Sequence, residues 1–556
     1  VSSRPSRLAA ILAASAVSIA APASARDQLA IGLTQYPATF HPIIEAMVAK
    51  SYLNAFAFRR ITVYDPDWNL VCMLCERLPS IEEGTAKPET TADGKQGIRV
   101  TWRLRADATW GDGTPVTTED IRFTYELGRQ GDTGVGPAEF YRSAYELIIE
   151  DDRTFTFRFD KLTFEYASLG DFVPLPAHLE RAPAQAGDPK AYRTRTLYDT
   201  DTTRPGLWNG PYQVSAVTPG SSVTLSRNAA WKGPKPAFER IVVRAIENTA
   251  SLEAALLSGQ VDMIAGELGL PLDQALALEK RAANRFHFLY KPGLIYEHLD
   301  VNLDNKALAD KRVRQGLLSA LDREAINQRL FSGRQPVANS DVNPLDWVYD
   351  PTTPQWPYDP ARAIALFEAA GFTQGPDGIR RNTAGERLSF ELMSTAGNRS
   401  RELVQQVLQA QWKAVGVDIR IRNEPPRVFF SETLNRRRFQ ALALFAWVKS
   451  PENVPRTTLH STEIPTEATG FRGQNYSGFQ NAEMDQLIED IPVTLDRDKR
   501  RALWSRLQAL YAEELPALPL FFRSDAHIWP RWLEGVTPTG HLHPSPFWVE
   551  TWRAAP

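Results

Sequence analysis

Residues 388–421 read LSFELMSTAGNRSRELVQQVLQAQWKAVGVDIRI, and their pattern decides the fold class. Leu388 to Met393 is an apolar run of strand length. Arg401 to Val415 has helical composition and is closed by Gly416, a residue that accepts the left-handed conformation at a helix end. Val417, Ile419 and Ile421 then alternate with polar neighbours, the period of a second strand. A strand, a helix and a strand in this order form the unit from which parallel sheets are built.

Working outward, Asp359-Pro360 supplies an N-cap and an N1 proline for a helix that Gly371 closes. Residues 310–333 carry two helices, the second capped by Asp322 and ended by Gly333. On the other side, Asn481 and Asp496 cap two late helices. The longer one places Leu503, Leu507, Leu510 and Tyr511 on one face, Pro516 stops it, and Leu518 to Phe522 resumes as strand. A second strand–helix–strand unit runs from Arg240 to Ala265: strand to Ile246, helix Ser251–Ser258 ended by Gly259, strand from Val261. Leu29 to Leu33 is one further strand. Between these regions the chain is β-rich. Val100, Trp102 and Leu104 share one face of a strand, and Phe155, Phe157 and Phe159 alternate in another. Thr117 caps a helix with Glu119 and Asp120 in its first turn.

These readings predict an α/β protein with two lobes, a ligand cleft between them and a β-rich insert. Lobe I is discontinuous, comprising 26–57, 195–285 and 521–556. The insert is 58–194, and lobe II is 286–520. The length of 556 residues accommodates about three to five domains or subdomains. Hydrophobic residues at 43% and charged residues at 23% describe an ordinary globular chain. A net charge of −3 offers no basic excess for phosphate backbones, so nucleic acid is not expected as a partner.

Arg4 and Arg7 precede a small and apolar run, Leu8 to Ala21, and Ala23-Ser24-Ala25 has the small-x-small cleavage pattern. A secretory leader of 25 residues is expected, with the mature chain starting at Arg26 in the periplasm. Cys72 and Cys75 stand in a strand-to-turn context, which favours a local disulfide or buried thiols over a redox or zinc site. His541 and His543 could share a face toward a metal, but a surface loop beside Pro544 is the preferred reading. There is no phosphate loop, no His-Glu-x-x-His, no Gly-x-Ser-x-Gly and no EF-hand loop. No acid pair stands out as a glycosidase centre. Neither enzyme activity nor a cofactor or metal is expected.

Several segments, in order, resemble a known family. They are Gly111-Asp112-Gly113-Thr114-Pro115 with Asp120-Ile121-Arg122-Phe123; Asn209-Gly210-Pro211-Tyr212; Gly259-Gln260-Val261-Asp262; Asp310 to Leu317 with Ala320-Leu321-Asp322-Arg323-Glu324; Tyr358 to Ala363; and Asn475 to Phe479. The set is similar to the extracellular solute-binding proteins of ABC importers, family 5, which include oligopeptide-, dipeptide- and nickel-binding members. The resemblance covers about residues 29–530. It implies a monomeric periplasmic receptor that closes on a small, peptide-like solute and docks on permease subunits in the inner membrane. An exported hydrolase and a chaperone-like envelope protein are the alternatives.

The resemblance also points to site residues. Peptide-binding relatives hold the ligand amine on an Asp a few residues after a Trp. Here Trp447 is present, Lys449 and Pro451 follow, and the Asp is missing, with Glu452 as a substitute. Tyr36 and Phe40 follow the first strand. Arg399 and Arg401 precede a helix and could grip a carboxylate. Trp110 lies beside the glycine turn, and Asn302 follows a strand similar to a hinge-crossing segment.

Overall fold

The computed structural model describes residues 26–555; the expected leader lies outside them. In lobe I, β1 (Gln28–Leu33) is followed by α1 (Val48–Ala57). The unit β2 (Arg240–Ala245), α2 (Thr249–Ser258) and β3 (Met263–Ile264) then straddles β1. Both strands pair with β1 in parallel, so they flank it and do not touch each other. The Asn248 side chain accepts from the Ser251 N–H at the start of α2, and Gly259 ends it at φ 78°. β3 has two residues, fewer than the run from Val261 to Ala265 suggests. α3 (Leu272–Ala282) buries Ala275 and Leu278 against Leu252 and Leu256 of α2. β4 (Phe286–Val301) then leaves for lobe II.

Lobe II contains β5 (Ser389–Thr395), α4 (Arg399–Ala414), β6 (Asp418–Glu424) and β7 (Leu442–Val448). β5 is parallel to both β6 and β7, as the quoted stretch predicts for its two strands. α4 places Val404, Leu408 and Trp412 in the same core as Phe390 and Leu392, and the Trp412 indole donates to the Leu317 carbonyl at 2.8 Å. The chain returns to lobe I through β8 (Ala517–Pro530). The resulting ten-stranded sheet has the order β6-β5-β7-β4-β8-β3-β1-β2, followed by the strands Ser222–Arg227 and Tyr212–Thr218.

β4 and β8 hold the lobes together. They have 16 and 14 residues, and at about 3.3 Å per residue each is roughly 45–55 Å long. They pair antiparallel from Phe286/Pro530 to Asp300/Ala517. The division at 286 falls at the first residue of β4, and the division at 520/521 falls inside β8. Their register shifts between Pro292 and Tyr296 and again between Glu297 and His298. Irregularities of this kind bend a strand and re-aim its side chains.

The β-rich insert contains an antiparallel sheet of four strands within residues 86–159. Trp102 stacks on Phe155 with centroids 5.8 Å apart. Thr117 caps the helix Thr118–Arg129 in a capping box with Asp120. The core of the insert is not its own. Trp102, Phe155 and Phe157 belong to one buried cluster with Leu29, Ile31, Val549 and Trp552 of lobe I.

Cys72 and Cys75 form a disulfide. The His-x-His pair is not in a surface loop. His541 and His543 are 6% and 8% exposed, and their rings pack beside Tyr64. His543 Nδ1 accepts from the Tyr64 N–H at 2.9 Å, and His541 Nε2 lies 2.7 Å from the Asp65 carbonyl. Burial lowers the His541 pKa to about 4. The pair pins the C-terminal segment onto the β-hairpin formed by Thr62–Tyr64 and Leu70–Cys72. The second helix of residues 310–333 ends on Ser332, which takes φ 53°, one residue before Gly333. Among the described residues no helix is long and apolar enough to cross a membrane.

Candidate functional site

The hinge strands divide their side chains between two faces. On one face lies a cavity of about 300 Å³ with walls from both lobes. Lobe I contributes Leu270 to Asp273, the entry to α3. Lobe II contributes Asn398 to Arg401 at the start of α4, with Leu330 and Phe331. Ile295 and Glu297 of β4 and Phe521, Arg523 and Asp525 of β8 complete it.

Glu297 organises the charge in this cavity. It is 2% exposed, and Arg401 grips it with two N–H groups, at 3.2 Å to Oε2 and 3.1 Å to Oε1. Arg523 donates to Oε1 as well. Burial alone would raise the Glu297 pKa; the guanidinium groups of Arg523 and Arg401 outweigh it and hold the carboxylate below its usual range. Arg401 also reaches Thr395 Oγ1 at 3.2 Å.

Arg399 differs from both. It is exposed to the cavity and makes no side-chain ion pair among the described residues. It occupies the first turn of α4, where Asn398 caps the Arg401 N–H at 3.1 Å. An unpaired guanidinium in the first turn of a 16-residue helix, the end that carries partial positive charge, has the chemistry to receive a carboxylate.

On the opposite face Tyr296, His298 and Asp300 point into lobe II. Tyr296 and His298 stack with centroids 4.9 Å apart, and the Tyr296 and Tyr511 hydroxyls are 2.9 Å apart. His298 Nε2 lies 3.1 Å from Asp300. Lys449 is buried and donates to Asp341 at 2.6 Å. The residual space here is about 20 Å³, enough for roughly one water.

Comparison with known proteins agrees with this architecture. The model of bacterial extracellular solute-binding proteins, family 5 middle, matches residues 80–465. The chain belongs to this family. It is 24% identical to the oligopeptide-binding protein AppA of Bacillus subtilis over 91% of this chain and 88% of that one. It is 22% identical to the probable D,D-dipeptide-binding periplasmic protein DdpA of Escherichia coli, covering 94% and 93%. Among solved structures, the oligopeptide-binding protein from Thermus thermophilus, complexed with a pentapeptide, superposes with a TM-score of 0.67 at 28% identity, covering 95% and 96%.

Within this family 5 chain, the cavity collects only part of the expected residue set. Arg399 and Arg401 line it. Trp447 does not: it pairs across the ladder with Tyr296 and stacks on Tyr476 at 5.8 Å, on the opposite face. Tyr36 is half-buried, edge-on to Phe40 at 6.2 Å, and Phe40 is a core residue whose N–H donates to Asp199. Trp110 is fully buried and its indole donates to Asp120 at 3.1 Å. Asn302 uses its side-chain amide on the Phe439 carbonyl at 2.6 Å. Glu452 is not a free carboxylate. Trp347 and Arg500 occupy its two oxygens, and burial raises its pKa. For Trp110, Asn302 and Glu452 the polar groups that would meet a solute are already spent on the protein.

Glu297, Arg523 and Asp525 are the site residues that pattern reading missed. Their signal was a charge inside a run that otherwise reads as buried strand: Glu297 between Tyr296 and Leu299, Arg523 and Asp525 after Leu518 to Phe522. A charge in such a run needs a partner or a function.

Proposed function

We propose that this protein is the periplasmic substrate-binding component of an ABC import system, and that it takes a small peptide-like solute between its lobes and delivers it to the membrane permease. The observation that carries the reading is a two-walled cavity at the hinge in which Arg399 offers an unpaired guanidinium at the start of α4. A solute carboxylate meets Arg399 and the first N–H groups of α4. Its apolar part lies against Leu270, Leu330 and Phe331. Contact with both walls stabilises the closed arrangement, because a ligand shifts an equilibrium by its differential affinity for the two states. No catalytic step is required. The curated relatives named for oligopeptides and dipeptides support the solute class.

The test is a thermal-shift screen of peptides, sugars and metal chelates, followed by calorimetry. A bound solute at 100 times its Kd should add about 2.7 kcal/mol of stability, and Arg399→Ala should weaken a carboxylate-bearing solute by about 1–3 kcal/mol. Turnover of a peptide during incubation would overturn the reading, and so would a failure of every solute class to stabilise the protein.

A further inference from the structure

The insert shares its core with lobe I, so rotation about β4 and β8 carries the two together past lobe II. A short segment of the insert nevertheless reaches lobe II. After the strand Thr154–Phe159, Thr163 Oγ1 accepts from the Glu165 N–H at 3.2 Å and starts the single turn Phe164–Ala167. This turn packs on the helix Ala482–Val493 of lobe II. Phe164 lies half-buried against the cluster of Val348, Leu459, Ile488 and Trp504, whose other members all fall between residues 303 and 517. The guanidinium carbon of Arg500 is 4.3 Å from the centroid of the Phe164 ring and 5.4 Å from that of Trp347. One cation thus stacks on an aromatic ring from each side of the seam. Arg500 is itself fixed, since it donates to Glu452 at 3.1 Å and to the Thr494 carbonyl at 3.0 Å.

Charge collects at the same seam. A cavity of about 550 Å³ lies between Lys161, Thr163 and Glu165 of the insert and Glu452, Arg456 and Glu489 of lobe II. Glu165 is exposed to this cavity, and protein surrounds it on both sides. That enclosure, with the charges of Glu452 and Asp171, pushes its carboxyl up to about 7, against the pull of Lys161 and Arg500. Burial raises Glu452 as well, and Arg500 and Arg497 oppose it. The Glu452 N–H donates to Asp346 at 2.7 Å, and burial with the Glu452 charge pushes Asp346 up to about 7. From the hairpin, the Tyr64 hydroxyl is raised by burial and by the charges of Glu165, Glu452 and Asp346, with Arg500 again opposing. With the lobes apart, Glu165 keeps Lys161 and Asp171 beside it and loses Glu452, Arg500 and the wall of lobe II.

We propose that the turn Phe164–Ala167 is a clasp across the seam: Phe164 seats under Arg500 and holds the lobes closed, and Glu165 beside it makes the clasp let go as the pH rises. The clasp deepens the receptor reading, since it regulates the closure which that reading requires, but it acts without a solute. Its sign follows from the two states of Glu165. In the open arrangement the carboxyl is nearly free and titrates near an ordinary Glu, about 4.3. In the closed arrangement it holds its proton up to about 7. Protonation therefore favours closure, fully so below the open value, and the advantage is lost as the pH rises through the closed one. Above it, the ionised Glu165 faces Glu452 and Asp346 as like charges and pushes the seam apart.

The experiment replaces Phe164 by para-fluorophenylalanine and follows its fluorine resonance, without added solute, from about pH 5 to about pH 8. The seated ring, packed beneath Arg500, and the free ring in water should give separate signals. Their ratio should fall about tenfold or more across this range, the change supplied by an acid whose pKa moves by one between the two states. Glu165→Gln, made in the same background, should keep the seated signal dominant at both ends and remove the pH dependence. Phe164→Ala, read by small-angle scattering near pH 5, should give a larger radius of gyration than the unaltered protein. A signal that stays seated throughout, a pH dependence that survives Glu165→Gln, or a Phe164→Ala protein no more open than the unaltered one overturns the clasp. None of these measurements uses a solute, so the clasp can fail while the receptor reading stands, and the solute screen can fail while the clasp stands.

Discussion

The two faces of β4 carry nearly the same inventory and use it in opposite ways. One face has Glu297 with Arg401 and Arg523 and opens on a cavity of about 300 Å³. The other has Asp341 with Lys449, and His298 with Asp300, and leaves about 20 Å³. Both faces bury charges in pairs, because an isolated buried charge is prohibitive. The difference is what remains unpaired. On the sealed face the ion pair and the aromatic stacks leave no charged group facing open space. On the open face Arg399 and Asp525 are left over, and they line the cavity. Under the proposed function the leftover charges, and not the buried ion pairs, mark the binding site.

This contrast can be broken most forcefully at Lys449. Lys449→Met leaves Asp341 buried without a counter-ion and should cost about 3–5 kcal/mol in denaturant unfolding. The double variant with Asp341→Leu should recover most of that. A cost below about 1 kcal/mol would mean that the face is wet and not sealed. At the open face Glu297→Gln should cost less, about 2–3 kcal/mol, because Arg523 is 35% exposed and keeps its solvent. The loss should depend on pH. The Glu297 carboxylate is held below its usual range, so its contribution is complete above the unfolded pKa of about 4.3 and disappears as pH falls through the lower folded value. Melting curves of both proteins should therefore converge in acid; a constant gap would assign the effect to shape and not to charge.

Trp447→Ala should cost about 2 kcal/mol through its lost contacts with Tyr476 and Phe445 and should change solute affinity less than Arg399→Ala does. Calorimetry on both variants decides this, and an equal loss would extend the binding surface across both faces. Arg399→Ala should be the smallest effect on stability, within about 0.5 kcal/mol as for most exposed positions, while it carries the largest effect on affinity among these four.

The parts of the fold that local chemistry determines were legible in the sequence. Thr117 with Asp120, Gly259, Asp322, Asp359-Pro360, Asn481 and Asp496 all mark helix ends where the structure has them. Each signal involves residues within four positions of one another. The site was less legible for the converse reason. Glu297 meets Arg401 across 104 residues and Arg523 across 226, and no spacing rule connects them. The insertion of β1 between β2 and β3 is likewise a long-range event. Trp447 shows a subtler limit. Its strand and its alternation could be read, but which face of the ladder borders the cavity depends on how two distant lobes are stacked.

The shared core of lobe I has a consequence for the order in which the molecule can be finished. Leu29 and Trp552 are buried in one cluster, and the sheet around β1 needs β8, which ends at Pro530. Lobe II draws its β5, α4, β6 and β7 from a contiguous stretch. A ribosome adding about 5–20 residues per second delivers Leu533, Val549 and Trp552, the last members of the lobe I core, on the order of a minute after Leu29. β1 finds both of its sheet neighbours, β2 and β3, by residue 264, yet neither lobe is finished until late: the lobe II core takes in Leu518 and Phe521, and the lobe I core ends on Trp552.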